Sequence, residues 1–333
     1  MPPSCRPDAG AEPSSRRDRN CAAPPPFAGR LFADIRLGWI REQAGTLAGV
    51  RIAVVGTGSM GAAFASRALE KGHQVTVWNR TPDRCGPIAA AGARQAATSG
   101  EAAAGADAVL VVLADDAAVR EVCLGAEGVL ASLEPSAVFA NVSTVAPSTV
   151  RQLAEAGPPD RVLDSPVMGS PEMIAAGFGS FLIGGSLSAI TAVEPLWTDL
   201  GSGYTHCGPT GTGAKMKIIQ NMLLITGVAA LAEAVATARA NGLSEELIRS
   251  VMADSGVVSP ASKVRLASLL DDAHPGWFSP ALARKDIRLA MDLASQVGIP
   301  ARSGPAAESL LTTVIDEGDV WPDFAAVIEA FKP

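Results

Sequence analysis

The run Val50-Arg51-Ile52-Ala53-Val54-Val55-Gly56-Thr57-Gly58-Ser59-Met60-Gly61 decides the fold. Its β-branched apolar half reads as a buried strand, and its glycine half matches G-x-G-x-x-G. Ala62 to Lys71 continues as a helix closed by Gly72, and Gln74-Val75-Thr76-Val77-Trp78 reads as a second strand. Strand, glycine turn, helix, strand is a dinucleotide-binding unit. The first glycine permits a tight turn, the second lets the backbone approach a pyrophosphate, and the third lets helix and strand pack closely. Free N–H groups at the helix start then face the phosphates. The motif by itself is weak, but framed by two strands at this spacing it is specific. Gly56, Thr57, Gly58, Ser59, Met60 and Gly61 are the expected cofactor-binding positions.

The residue closing the second strand chooses the cofactor. A carboxylate there would hold the ribose 2′-hydroxyl of NAD, whereas this chain carries Asn79-Arg80-Thr81. A guanidinium and a hydroxyl suit a 2′-phosphate, so NADP(H) is the expected cofactor. Strand patterns recur at Ala108–Leu113 and Ala137–Asn141, with helices following each. The carboxyl ends of such strands line a cofactor crevice, which makes Leu113, Ala114, Ser143 and Thr144 candidate neighbours of the nicotinamide half. Further strands are expected from Arg161 to Asp164, Phe181 to Gly184 and Tyr204 to Cys207. Residues 49–207 thus read as an α/β Rossmann-type domain.

From residue 208 no strand pattern returns, and 208–333 reads as an all-α domain for substrate binding and dimerisation. Ala214 to Ala240 is one long helix, almost wholly apolar before Glu233 and closed by Asn241-Gly242. A helix apolar all round is expected to be buried, within its domain or against a second subunit. Further helices are expected near 260–270, 280–297, 304–317 and 323–331. Within the glycine-rich entry Gly208-Pro209-Thr210-Gly211-Thr212-Gly213, followed by Ala214-Lys215-Met216-Lys217, the next turn brings Asn221. Lys217 and Asn221 are four residues apart and share a helical face, while Lys215 points elsewhere. In isolation such a pair is a solvated lysine and a polar helix position; beside a dinucleotide unit it becomes a catalytic candidate.

Composition removes competitors. A net charge of −7 argues against a nucleic-acid surface. No apolar run reads as long enough for a membrane span, the longest being interrupted by Gly, Asn or charges. Five scattered cysteines without a C-x-x-C pair suit a reducing compartment, and the expected location is cytoplasmic. The only histidines, His73, His206 and His274, lie far apart without metal-ligand spacing, so no metal is expected. His73 reads as a solvated turn residue. Acid–base work therefore falls to Lys, Asp, Glu or the lone Tyr204. Residues 1–48, with Pro24-Pro25-Pro26 and an Arg-rich cluster but no apolar h-region, read as a disordered extension; Leu31 to Ile40 is a weakly amphipathic piece within it.

With these pieces placed, the chain resembles the β-hydroxyacid dehydrogenase family, which includes 3-hydroxyisobutyrate dehydrogenases and glyoxylate/succinic semialdehyde reductases. The cofactor signature is Gly56-x-Gly58-x-Met60-Gly61, and the catalytic signature G-x-x-G-x-G-x-x-x-K-x-x-x-N falls on Gly208, Gly211, Gly213, Lys217 and Asn221. The C-terminal signature is Lys285-Asp286-Ile287, with Ile for the usual Leu. The substrate signature departs: D-A-P-V-S-G-G is Asp164-Ser165-Pro166-Val167-Met168-Gly169-Ser170 here. The resemblance implies hydride transfer between nicotinamide and a carbinol carbon, with Lys217 as general acid/base and Asn221 orienting it or the substrate oxygen. It places Met168, Gly169, Ser170 and Asp286 at the substrate and Lys285 at cofactor or substrate. It also implies a small carbonyl or alcohol substrate and a homodimer or homotetramer joined through the helical domain.

Three other readings compete. Imine reductases share the two-domain plan and the Asn-Arg-Thr strand end, but commonly carry Asp or Tyr where this chain has Lys217. Met168 in place of the carboxylate-holding Ser favours them. A 6-phosphogluconate-type decarboxylating enzyme needs a basic phosphate-binding set not identifiable here. A non-catalytic NADP-binding scaffold is opposed by the intact Lys217/Asn221 pair.

Overall fold

Strand β1 (Arg51–Val55) sends Ile52 and Val54 into one hydrophobic cluster and Ala53 and Val55 into another. Side chains alternate along a strand, so a continuous apolar run is what a sheet covered on both faces requires. The computed structural model describes residues 49–271, 273–318 and 320–332. The extension expected over residues 1–48, with its Leu31–Ile40 piece, lies outside the described residues.

Eight further strands complete the sheet: β2 (Gln74–Trp78), β3 (Arg94–Gln95), β4 (Ala108–Val111), β5 (Val138–Asn141), β6 (Val162–Asp164), β7 (Val167–Met168), β8 (Ser180–Gly184) and β9 (Tyr204–Gly208). Their order is β3-β2-β1-β4-β5-β6-β8-β7, with β9 on β8. Strands β1 to β6 pair in parallel, and β8 turns antiparallel to β6 and β7. The two-residue strands β3 and β7 are too short to show a period in sequence. The chain runs outward from β1 to β3 and then returns to β4 on the other side of β1. This reversal leaves a crevice beyond the carboxyl ends of β1 and β4.

The remaining chain is helical and packs with the sheet into one compact unit. Helix Thr212–Ala240 contacts helices Pro280–Ser295 and Gly304–Asp316 and the 3₁₀ segment Phe324–Phe331. The helix expected near 260–270 is split into Pro260–Lys263 and Leu266–Leu270, and the last expected helix is the 3₁₀ segment. The long helix is not covered all round: Ile218, Ile225, Val228 and Leu231 are buried, while Met216, Ile219 and Leu223 are 40 %, 42 % and 66 % exposed. The expectation that no run is long enough for a membrane is corrected here too. By length and composition this 29-residue helix, with a hydropathy of 1.7, could cross one. Its apolar content has another use, since 44 % of that window is buried inside the protein.

One buried ion pair ties the helical part together. Arg265 donates from Nε to Asp323 Oδ1 at 2.7 Å and from Nη2 to Oδ2 at 3.1 Å. Its guanidinium lies 4.4 Å from the centre of the Phe324 ring. Asp323 Oδ1 also accepts the Ala325 N–H at the start of the 3₁₀ segment. Removing one partner of such a pair strands the other charge in a dry site. Asp323→Ala is therefore expected to lower stability by about 3–5 kcal/mol in denaturant melts, whereas replacing both residues with apolar ones of similar volume should cost less.

Candidate active site

The glycine turn after β1 has the geometry that each glycine was expected to permit. Gly56 has φ of 100°, and a Cβ there would stand 2.2 Å from the Val112 carbonyl oxygen. A Cβ on Gly61 would stand 1.8 Å from the Gly56 carbonyl oxygen, so helix Ser59–Glu70 can sit this close to the turn only without a side chain there. Gly58 is different: no atom lies within 4 Å of where its Cβ would be. It is also the N-cap of that helix and provides no side-chain cap, leaving N–H groups at the helix start for a ligand.

Gly58, Ser59, Met60 and Gly61 share a cleft with Asn79, Arg80, Thr81, Leu113 and Ala114. The Asn79 amide holds the turn itself: Oδ1 accepts the Thr57 N–H at 3.1 Å and Nδ2 donates to the Thr81 carbonyl at 3.0 Å. Thr57 is buried and, like Gly56, is not among the cleft-lining residues, so both shape the turn from behind. Among the described residues Arg80 reaches only Glu121, at 3.9 Å between two exposed side chains, a contact of little strength in water. Arg84, overlooked in the sequence reading, lines the same cleft. It sits in the 3₁₀ turn Pro82–Cys85, where positions three apart eclipse, which returns residue 84 to the side of Thr81. Open backbone at Gly58 and uncapped N–H groups at the helix start fit the pyrophosphate of a dinucleotide, and Arg80 and Arg84 stand at the far end of the cleft.

A second pocket adjoins this cleft, sharing Met60, Leu113, Ala114, Trp277 and Leu282. Its polar side is Ser143, Thr144, Lys217, Asn221, Lys285 and Asp286. Helix Pro280–Ser295 brings Lys285 across to the sheet, where Nζ donates to the Thr144 carbonyl at 2.5 Å and lies 2.7 Å from Asp286 Oδ1. Asn221 Nδ2 donates to Asp286 Oδ2 at 2.5 Å. One buried carboxylate thus orients both the asparagine and the second lysine.

Lys217 makes no hydrogen bond or ion pair among the described residues. Burial pushes its ammonium below the ordinary lysine range; Asp286 opposes the shift and the Lys285 charge adds to it. Lys217, Lys285 and Asp286 are the titratable groups lining the pocket. The histidines lie elsewhere: His206 bonds the Gly185 carbonyl and His274 bonds Glu329. His73, expected to be solvated, is buried, accepting the Val50 N–H and facing Asp199. Among the described residues no cluster of His, Cys, Asp or Glu could hold a metal ion.

Of the altered substrate signature only Gly169, with Val167, lines the pocket. Met168 lies on β7, paired with Ser180, and is not among the lining residues. Ser170 is committed elsewhere, since its Oγ accepts the Met173 N–H and caps helix Pro171–Ala175. Ser143 Oγ is also engaged, accepting the Leu113 N–H and donating to the Val111 carbonyl. The other wall is apolar: Leu224, Trp277, Phe278 and Leu282. Trp277 and Phe278 escaped the sequence reading because they stand in the irregular stretch before Pro280, where no period marks a face.

Comparison with known proteins follows this geometry. Residues 51–208 match the NAD binding domain of 6-phosphogluconate dehydrogenase, and residues 211–331 match the NAD-binding domain of NADP-dependent 3-hydroxyisobutyrate dehydrogenase. The chain is 31 % identical to the NAD-dependent L-serine dehydrogenase of Pseudomonas aeruginosa, over 85 % of this chain and 98 % of that protein. It is 30 % identical to the chloroplastic glyoxylate/succinic semialdehyde reductase 2 of Arabidopsis thaliana, over 88 % and 81 %. The structure of Mycobacterium tuberculosis 3-hydroxyisobutyrate dehydrogenase with L-serine superposes with a TM-score of 0.74 at 29 % identity, over 86 % of this chain and all of that one. An α/β dinucleotide crevice joined to a helical part, matched in both halves, makes this chain a member of the β-hydroxyacid dehydrogenase family, the NAD(P)-dependent hydroxyacid dehydrogenases.

Proposed function

We propose that the protein is an NADP(H)-dependent dehydrogenase or reductase interconverting a small alcohol and its carbonyl, with Lys217 as general acid/base. The observation that carries this reading is a half-buried ammonium of lowered pKa, without a hydrogen-bond or ion-pair partner among the described residues, in the pocket that adjoins the dinucleotide cleft. A lysine so tuned holds a proton loosely enough to give it to a developing alkoxide and to recover it in the reverse direction. The nicotinamide, when bound, supplies or accepts the hydride. Asn221 lines the pocket and donates Nδ2 to Asp286, which leaves its amide oxygen as an acceptor for the substrate hydroxyl or the Lys217 ammonium. Lys285 bridges Thr144 and Asp286, adding positive charge against which Lys217 deprotonates. Arg80, Thr81 and Arg84 support the 2′-phosphate form of the cofactor over NAD(H).

Substrate class follows from the walls. A substrate with an apolar body suits Leu224, Trp277 and Phe278. With Ser170 committed to a helix cap and Met168 off the lining, a carboxylate would depend on the Gly169 backbone and the two lysines. The same observation favours a second reading, reduction of a C=N bond in a substrate without a carboxylate. We further propose a cytoplasmic homodimer or homotetramer. Support comes from the exposed Met216, Ile219 and Leu223 stripe and from the free thiols of Cys85, Cys123 and Cys207.

NADPH and NADH oxidation should be followed with glyoxylate, succinic semialdehyde, a bulky ketone and a cyclic imine. Lys217→Ala is expected to lose about 10²–10⁴-fold in turnover while NADPH still binds; near-normal turnover removes Lys217 from the mechanism, and activity on the imine alone selects the second reading. Replacing Arg80 and Arg84 together with Ala should weaken NADPH binding about 10- to 100-fold and leave NADH almost unchanged in a fluorescence titration. Lys285→Met removes a like charge and exposes Lys217 more fully to Asp286. The pKa of Lys217 should therefore rise, read from the pH dependence of its acylation by peptide mapping.

A further inference from the structure

Gly211, in the left-handed region with φ of 94°, is the N-cap of the helix that carries Lys217, and it has no side chain to bond the first N–H groups. The missing cap comes from 47 residues upstream. Asp164, the last residue of β6, accepts the Gly211 N–H on Oδ1 at 2.7 Å and the Ala214 N–H on Oδ2 at 2.6 Å. Its side chain is fully buried. Two glycines make the approach possible. A Cβ on Gly184 would stand 2.4 Å from Asp164 Oδ1, and one on Gly213 would stand 2.4 Å from the Leu182 carbonyl oxygen. The helix start is therefore clamped between β6 and β8 with no slack.

Lys217 is three residues beyond Ala214 and Asn221 four beyond that. An α-helix transmits rotation and translation along its axis, so whatever sets its first turn sets where these side chains stand. We infer that Asp164 is a positioning residue for the reaction: its carboxylate sets the axial position and rotation of the helix and so holds Lys217 at the pocket. This rests on the proposed acid–base role of Lys217.

The energetics point the same way. Burial raises the Asp164 carboxyl from its ordinary range to about 6, against the pull of the Gly211, Ala214 and Gly213 N–H groups. For an acid with a raised pKa, the stabilising contribution is present below the unfolded value and is lost as pH rises through about 6. At neutral pH the buried charge is thus a burden on the fold, kept where it fixes a helix start. Below about 6 protonation turns one carboxylate oxygen into a hydroxyl, a poorer acceptor, and weakens one of the two buried N–H bonds. Other ionisable groups around it are few. β8 contributes none; β9 contributes Cys207, whose thiol is pushed up by burial and by Asp164, and His206, bonded to Gly185. The helix contributes Lys215, exposed, and Lys217, in the pocket.

Asp164→Asn keeps the shape and removes the charge, fixing the site in the state the wild type enters in acid. With the best substrate of the panel whose own ionisation lies outside pH 5–8, kcat should fall about 10- to 100-fold, with the NADPH Kd changed by less than about threefold. The wild-type kcat is expected to show an acid limb near pH 6, and the variant should lose it. A kcat within about twofold of wild type, or an unchanged acid limb, overturns the proposal. If the variant does not fold, the wild-type profile decides: a limb near 6 supports it and a flat kcat from about pH 5 to 7 overturns it. Lys217→Ala run alongside separates the two readings. Near-normal turnover there removes the acid–base role, whereas an inactive Lys217→Ala beside an unaffected Asp164→Asn removes only the positioning role.

Discussion

A single carboxylate, Asp164, sits where the sheet ends and the helical part begins, and both parts are built around its two backbone N–H bonds. Helix Thr212–Ala240 belongs to both: Ala214 packs in a sheet-side cluster, and Ile225 to Val235 form the core of the helical part. Lys217 and Asn221 occupy the short stretch between. A helix anchored at its first turn and gripped along its length by Pro280–Ser295 has little freedom to slide.

Electrostatics in that pocket follow from how few partners are supplied. Two lysines and one aspartate face one another, and the aspartate is already shared by Lys285 and Asn221. Lys217 is left with attraction to a carboxylate that another cation holds more closely, and with burial that disfavours its charge. Leu224, Trp277 and Phe278 give this pocket an apolar wall beside the lysine.

Much of the fold was legible because local rules and tertiary packing agree. The two-faced burial of β1 shows as an unbroken apolar run, and Gly56 and Gly61 meet close backbone contacts while Gly58 stays open, as their spacing implied. Legibility stopped where side chains serve a purpose that no spacing records. Ser170 reads as a ligand to substrate but caps a five-residue helix, and Thr57 lies inside a ligand motif yet faces the core. Asp164 reads as the first letter of a substrate signature, and its carboxylate is spent on a helix 47 residues away. The long helix reads as buried all round because composition counts apolar residues without saying which face a neighbour covers.

By itself the sequence determined the strand–glycine–helix–strand unit, the change from alternating to helical pattern near residue 208, and the pairing of Lys217 with Asn221. Each of these is a short-range consequence of backbone geometry: steric limits on φ, the period of two in strands and the period of 3.6 in helices. Only the tertiary structure decided that Lys285 crosses to Thr144, that Asp286 is shared, that Arg84 joins Arg80, and that Met168 is not among the residues lining the pocket. The Lys285–Thr144 and Asn221–Asp286 contacts join segments 141 and 65 residues apart, set by which apolar faces pack together. A side chain's use depends on the neighbour that packing brings to it, and no local period encodes that neighbour.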